Sequence, residues 1–149
     1  MLAELLTPQV IRLKVAARDW EDAVRRSVQL LVDVGAAEPG YVDASVEMVR
    51  ELGPYMVITP GLALAHARPE SGVNRNCLGL ITLAQPVEFG HPDNDPVDVV
   101  FALGATGNNE HIRLMADLAR FLMDERSLPG LRQAATVEEV TALIEKLLA

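Results

Sequence analysis

The spacing of apolar residues along the first part of the chain predicts a strand and then a helix. Residues 10–17 alternate Val, Ile and Leu with Arg12 and Lys14, which indicates a strand with one exposed face. Asp19 can cap the helix that follows, and Gly35 lies near its end. The apolar residues that recur at helical spacing between them are Trp20, Val24, Val28 and Leu31.

A second helix and three apolar runs come next. Pro39 suits the first turn of a helix that ends before Gly53. Three apolar runs bounded by turn residues then predict strands at residues 55–67, 77–87 and 97–105. The second run is apolar on both faces, as in a central strand that helices cover on both sides. Residues 89–96 are dense in turn formers and join the second and third runs like a hairpin.

The rest of the chain is predicted to be helical. Residues 110–124 carry apolar side chains around most of the helix circumference, so we expect this helix to be largely buried. Thr136 and Glu139 form a capping box that opens a last helix. The order of elements predicts a single α/β domain over residues 1–149. Its mixed sheet of about four to five strands would be sandwiched between helices in three α/β/α layers.

Composition and charge exclude several classes of partner. Half of the 149 residues are apolar and 23% are charged, as in an ordinary globular domain. The net charge of −8 argues against binding to nucleic acid, which needs a basic surface, and against an anionic membrane surface. The acidic balance instead favours partners with a basic contact face.

Cysteine content and the N-terminal pattern indicate a cytoplasmic protein. Cys77 is the single cysteine, so no internal disulfide can form, and a reducing compartment is the simplest interpretation. The N-terminal segment, with Glu4 and Arg12, lacks the pattern of a signal peptide. The longest uncharged stretch, residues 52–65, is too short to cross a bilayer.

His66 is the first candidate for chemistry, because it ends the first apolar run two residues before Arg68. A strand end at the rim of a sheet is where α/β domains place ligand groups, and an extended backbone puts both side chains on one side. The arginine could bind a phosphate there in bidentate fashion. The alternative, a histidine without a chemical role beside an unrelated arginine, stays open at this point.

His111 is the second candidate, in the first turn of a predicted helix after Asn108 and Asn109. Helix N-termini present free amide groups and a partial positive charge that suit an anion, although Glu110 adds a negative charge in the same turn. A plain surface position is the alternative. We interpret His91, in the turn-rich loop, as a surface residue.

Other kinds of site lack their sequence pattern. The histidines lie 25 and 20 residues apart, and no His-x-x-x-His or Cys-x-x-Cys pair offers metal ligands. The aspartates of residues 93–98 lack the spacing and the closing glutamate of a calcium loop. Glycine-rich nucleotide motifs and a serine nucleophile elbow are missing as well. We therefore expect neither a metal ion nor a cofactor, and Cys77 should be a small buried residue.

Two segments resemble a known family. Residues 53–70 open with Gly-Pro-Tyr, close with His-Ala-Arg-Pro-Glu, and resemble the active-site region of enzyme IIA proteins of the mannitol/fructose superfamily. Within it they are most similar to the ascorbate-type branch. The segment that leads into Asn-Glu-His111 and the helix after it resembles the second-histidine helix of the same family. Ala65 departs from the pattern, since many members have proline before the active histidine.

The resemblance implies a function and a set of site residues. His66 would accept a phosphoryl group from phospho-HPr and pass it to a cysteine of enzyme IIB, during coupled uptake of a sugar that enzyme IIA never binds. His111 would hydrogen-bond His66 or the phosphate and fix the reactive tautomer, while Arg68 would add positive charge. Thr59 and Arg50 are weaker candidates for phosphate binding.

Partner exchange requires an open site with an exposed apolar surround. Leu62, Leu64 and the Pro60-Gly61 turn are the predicted contributors. The membrane would be reached only through the permease complex. Ascorbate is suggested as the sugar by the branch alone, and the oligomeric state is left open, with a homodimer as one alternative.

Two other functions fit the same scaffold. In a regulator, phosphorylated His66 would report metabolic state to a target protein, as enzyme IIA-like domains of nitrogen-type systems do. In a binding module without catalysis, His66 would be structural. An enzyme IIB identity is set aside, because that component needs an exposed cysteine in an early phosphate-binding loop and Cys77 opens a predicted buried strand.

Overall fold

The computed structural model describes residues 2–148, which form one domain with five strands and six α-helices. The strands are β1 Ile11–Val15, β2 Val57–Thr59, β3 Leu62–Ala65, β4 Cys77–Val87 and β5 Val97–Gly104. The helices are α1 Leu2–Leu5, α2 Trp20–Asp33, α3 Gly40–Leu52, α4 Asn108–Met123, α5 Ser127–Gln133 and α6 Val137–Leu148. Single 3-10 turns lie at Pro8–Val10, Pro54–Met56 and Pro69–Ser71.

The sheet is mixed, as predicted, with the strand order β1-β4-β5-β3-β2. β1 runs parallel to β4 and β3 runs parallel to β5, while the β4–β5 and β2–β3 pairs are antiparallel. Residues 77–83 are buried without alternation, which confirms β4 as a central strand covered on both faces. α2 packs against β4, β5 and α3, whereas α4, α5 and α6 contact one another and meet the sheet at β5 and β1. The predicted three-layer arrangement is confirmed.

Capping residues explain where two of the helices begin. The Asp19 carboxylate accepts the backbone N–H of Asp22 at 2.8 Å, so α2 starts as the sequence predicted. At α6 the Thr136 hydroxyl accepts the N–H of Glu139 at 3.2 Å, as in a capping box. The Glu139 carboxylate reaches back to the N–H of Ala135 rather than to that of the cap residue.

The first apolar run differs from its prediction, because it is a hairpin and not one strand. β2 and β3 pair antiparallel, and the chain reverses between them at Pro60 and Gly61. Gly61 has a φ of +79°, a left-handed conformation that glycine adopts without steric cost. The reversal places β3 beside β5 and leaves β2 at the edge of the sheet.

The predicted burial of α4 is wrong. Only Leu114, Leu118 and Phe121 of this helix are buried, whereas Ile112 is 64% exposed and Met123 is 85% exposed. The helix carries more apolar surface than the sheet can cover, since it packs on the domain along one stripe. α1 and α5 were not predicted, and both are too short to show a clear apolar period. None of the helices described is long and apolar enough to span a bilayer.

Candidate functional site

His66 lies at the rim of the sheet, directly after β3 ends. Because β3 and β5 are parallel, their carboxyl ends meet at the same edge, and α4 begins there a few residues after β5. The half-buried imidazole lines a shallow pocket of about 200 Å³. The other residues that line it are Met48, Ala67, Arg68, Pro69, Asn108 and His111. The topology therefore brings together two segments that are far apart in the sequence.

A backbone carbonyl fixes the tautomer of the His66 ring. Nδ1 lies 3.0 Å from the carbonyl oxygen of Leu64. A carbonyl can only accept a hydrogen bond, so Nδ1 carries the hydrogen and donates it. The lone pair of the neutral ring is then on Nε2, which is the nitrogen available for nucleophilic attack.

Burial keeps this imidazole neutral. Desolvation lowers the pKa of His66 below its ordinary value of 6.5, and the neighbouring His111 lowers it further. The hydrogen bond with the Leu64 carbonyl acts in the opposite direction without reversing the shift. At pH 7 the Nε2 lone pair is therefore unprotonated.

Two aromatic rings flank the imidazole. The ring centroid of His111 lies 5.8 Å from that of His66 at an interplanar angle of 46°. The Tyr55 ring stands edge-on at 6.1 Å and 77°, and its hydroxyl is 3.4 Å from Nε2 of His66. Among residues 2–148, His66 has no hydrogen bond to His111, so the carbonyl of Leu64 fixes the tautomer in place of the predicted His111 contact.

Positive groups converge on the same pocket. Arg68 is exposed and has no ion pair with any residue of the described chain, so its guanidinium is available to an anion. The N-terminus of the 16-residue helix α4 lies beside it, with Asn108 in the pocket lining and no side-chain cap on its amides. Free helix N-terminal amides and an arginine fork are both suited to a phosphate.

Tyr41 of α3 holds the segment that follows His66. Its buried hydroxyl accepts the N–H of Ala67 at 3.0 Å and donates to the carbonyl of Leu103 at 2.8 Å. The contact ties the residue after His66 to β5. Burial raises the pKa of Tyr41 to about 12, so the hydroxyl stays protonated. The sequence analysis assigned no role to Tyr41 or Tyr55. Tyr41 could have been found, because a tyrosine beside the apolar face of a predicted helix needs a hydrogen-bond partner for its hydroxyl.

Two of the predicted phosphate ligands lie elsewhere. Arg50 is paired with Glu21 and with Glu47, the latter at 2.6 Å, on the surface shared by α2 and α3. Thr59 lines a separate apolar groove between β2 and α4. Neither residue lines the pocket of His66.

Of the residues predicted to form an exposed apolar surround of the site, only Pro60 is exposed. Leu62 and Leu64 are buried, because β3 is an inner strand, and Gly61 is buried with them. The exposed large apolar side chains of the described chain instead come from α3, the turn before β2, β2 itself and α4. They are Leu52, Tyr55, Ile58, Ile112 and Met123.

The remaining candidates have structural explanations. The ring of His91 is half-buried, and its Nδ1 accepts the backbone N–H groups of Asp93 and Asn94, so this histidine orders the β4–β5 loop. Cys77 is buried, and burial raises the pKa of its thiol to about 11. Within residues 2–148, no group of three or more His, Cys, Asp or Glu side chains could hold a metal ion.

Comparison with known proteins gives the family. The family model described as "Phosphoenolpyruvate-dependent sugar phosphotransferase system, EIIA 2" matches residues 4–147. The chain belongs to this family. It is 41% identical over 137 residues to the ascorbate-specific PTS system EIIA component of Escherichia coli strain K12, which covers 91% of this chain and 89% of that protein.

Solved structures of this family have the same fold. The mannitol-specific cryptic phosphotransferase enzyme IIA CmtB of Escherichia coli superposes with a TM-score of 0.87 at 28% identity, over 97% of this chain and 98% of that one. The complex of Escherichia coli enzyme IIAMTL with phosphorylated enzyme IIBMTL matches with a TM-score of 0.83 at 28% identity, over 95% and 97% of the two chains. The protein is thus a phosphoryl carrier of a sugar phosphotransferase system.

Proposed function

We propose that His66 is the residue that carries the phosphoryl group, which it accepts from phospho-HPr and passes to a cysteine of enzyme IIB. The observation that supports this most directly is the 3.0 Å contact from Nδ1 to the Leu64 carbonyl, because it leaves an unprotonated Nε2 at the rim. Arg68 and His111 line the same pocket. His91, by contrast, lies outside this pocket and uses its Nδ1 to accept the backbone N–H groups of Asp93 and Asn94.

The first transfer is an in-line displacement at phosphorus. The Nε2 lone pair of His66 forms the new N–P bond, the N–P bond of the donor breaks, and its electron pair returns to the donor nitrogen. The transition state is loose, so the protein contributes mainly position and charge stabilisation. Arg68 and the α4 amides would bind the phosphoryl oxygens, and His111 would line the opposite side of the pocket.

The second transfer relies on the same hydrogen bond from Nδ1 to the Leu64 carbonyl. Nδ1 keeps its proton and donates it to the Leu64 carbonyl. The ring that carries the phosphoryl group on Nε2 is therefore an imidazolium. When a thiolate of enzyme IIB attacks phosphorus, the Nε2–P bond breaks and its electron pair returns to Nε2. The group that leaves is therefore a neutral imidazole, which is a good leaving group at neutral pH.

The partners and the sugar follow from the relatives. A member of the family has been solved in complex with enzyme IIB, and relatives 41% identical to this chain are named ascorbate-specific, which supports ascorbate as the sugar. Both carriers would dock on the exposed apolar residues around His66, and the protein would act in the cytoplasm, where phosphoenolpyruvate is made. Arg50 and Thr59 stay predictions as phosphate ligands, and their observed contacts do not support that role.

The test is reconstitution with labelled phosphoenolpyruvate, enzyme I and HPr. We expect one acid-labile phosphoryl group on the wild-type protein and none on His66→Ala. His91→Asn is the matched control, because asparagine can still accept the loop amides, and it should be labelled normally. Label on folded His66→Ala, or label mapped to another residue of the wild type, would refute the assignment.

A further inference from the structure

Tyr55 contacts the nucleophilic nitrogen of His66, and the transfer chemistry above does not use this contact. It lies in the 3-10 turn Pro54–Met56 that precedes β2. Its hydroxyl is 3.4 Å from Nε2 of His66, and its ring meets the imidazole edge-on. Since Nε2 holds the lone pair, the hydroxyl is the donor in this contact. Partial burial raises the pKa of Tyr55, so its hydroxyl keeps its proton at neutral pH.

We propose that Tyr55 is a further catalytic residue of the carrier, whose hydroxyl donates to Nε2 of resting His66 and to a phosphoryl oxygen once the group has arrived. This inference rests on the proposed phosphorylation of His66. It assigns to Tyr55 a contact with the reacting atoms in both states of the cycle.

The change of acceptor follows from the electron balance at Nε2. Formation of the Nε2–P bond uses the lone pair to which the Tyr55 hydroxyl donates in the resting protein. The phosphorus then occupies that direction, and its anionic oxygens are the acceptors within reach of the hydroxyl. The half-exposed Tyr55 side chain can follow them, because no other hydrogen bond holds its oxygen within the described chain.

The two contacts differ in strength, and the difference has a direction. A hydrogen bond to an ionised acceptor is roughly twice as strong as one between neutral groups. The hydroxyl therefore stabilises the phosphorylated ring more than the resting ring. In the imidazolium, Nε2–H donates to the Tyr55 oxygen instead, and this charge-assisted contact is stronger than the one with the neutral ring, so the hydroxyl favours protonation of His66.

Tyr55→Phe tests both contacts, since it removes the hydroxyl and keeps the ring. In NMR titrations of the unphosphorylated protein, we expect the pKa of His66 to fall by on the order of half a unit, because the imidazolium loses the stronger of the two contacts. In the reconstituted system, the equilibrium between phospho-HPr and this carrier should shift toward phospho-HPr by about threefold. Ala142→Ser, at an exposed position of α6, should change neither value.

Each outcome bears on the proposal. If Tyr55→Phe leaves both the His66 pKa and the equilibrium at wild-type values, the hydroxyl has no part in the reaction and the proposal is wrong. A lower melting temperature without a change in either value would identify Tyr55 as structural and also overturn it. Failure of the His66 assignment is distinguishable, because the wild type itself would then carry no label on His66. Tyr55→Leu repeats the test if the phenylalanine variant folds poorly.

Discussion

At the scale of the residue, the chemistry of this carrier depends on which nitrogen of one imidazole holds the hydrogen. The Leu64 carbonyl, two residues before His66 in the chain, accepts a hydrogen bond from Nδ1. The lone pair is therefore on Nε2. A backbone acceptor has no alternative protonation state, so it holds the same tautomer before and after phosphoryl transfer. The neighbouring His111 is then free to contact the transferred group.

The protonation of His66 can be predicted with its sign. Burial disfavours the imidazolium, so the pKa of His66 lies below the ordinary 6.5 and the nucleophile is neutral throughout the neutral range. We expect an NMR titration of the His66 ring protons to have its midpoint below 6.5, with His66→Gln used to assign the signal. A midpoint at or above 6.5 would contradict the burial argument.

The same shift contributes to stability in a defined pH window. In the unfolded chain His66 binds a proton near its ordinary pKa, whereas the folded protein resists that proton. The contribution of the neutral His66 ring to the free energy of unfolding is therefore complete above pH 6.5. This contribution is lost as the pH falls below 6.5 toward the pKa of the folded protein.

At the scale of the element, one hydroxyl of α3 aligns two segments of the site. The Tyr41 hydroxyl forms hydrogen bonds with Ala67, which follows β3, and with Leu103 in β5. These bonds hold the carboxyl ends of the two neighbouring strands in a fixed relative position. Ser45, one turn further along α3, only bonds back to the Tyr41 carbonyl within the helix. The two buried hydroxyls of α3 thus have different consequences.

Tyr41→Phe should lower the free energy of unfolding by about 1–3 kcal/mol, because the buried Ala67 N–H and the Leu103 carbonyl lose their partner. Chemical denaturation measures the change. Ser45→Ala is the matched control and should cost less, since its hydroxyl bonds a carbonyl already within helical hydrogen bonding. An equal decrease in the free energy of unfolding for the two variants would show that the Tyr41 hydrogen bonds to Ala67 and Leu103 do not stabilise the protein.

At the scale of the whole molecule, exposed apolar side chains lie next to the site at Tyr55 and Ile112. Helix α4 begins at the pocket with His111, and its next residue, Ile112, is 64% exposed. An exposed apolar patch on a globular domain marks a contact with other proteins. A carrier that must meet two partners in turn needs such a surface around its reactive atom.

Ile112→Asp should therefore impair partner exchange and leave the fold intact. We expect the KM for phospho-HPr to rise by on the order of tenfold, while the free energy of unfolding stays within about 0.5 kcal/mol of wild type. Steady-state transfer assays and chemical denaturation measure the two quantities. Ala142→Asp, at an exposed position of α6, should leave the KM unchanged. A normal KM for folded Ile112→Asp would exclude this part of α4 from the docking surface.

The sequence alone determined the features that depend on short stretches of chain. The caps of α2 and α6 and the buried character of β4 follow from periodicity and from residues a few positions apart. It also singled out His66, Arg68 and His111, which the fold brings to one pocket. Their residue types and the predicted strand and helix ends made them candidates, and the resemblance to the family suggested their roles.

The tertiary structure decided what depends on residues distant in the sequence or on how a side chain is oriented. Only the strand pairing shows that β2 and β3 form a hairpin. In this arrangement Leu62 and Leu64 lie in the core. The sequence pattern of an apolar helix surface is the same whether a sheet or a partner protein covers that surface. The exposure of α4 could therefore not be predicted from its pattern. The Leu64 and Tyr55 contacts with His66 and the ion pairs of Arg50 arise from packing, because a spacing rule specifies neither a rotamer nor the partner that the fold supplies.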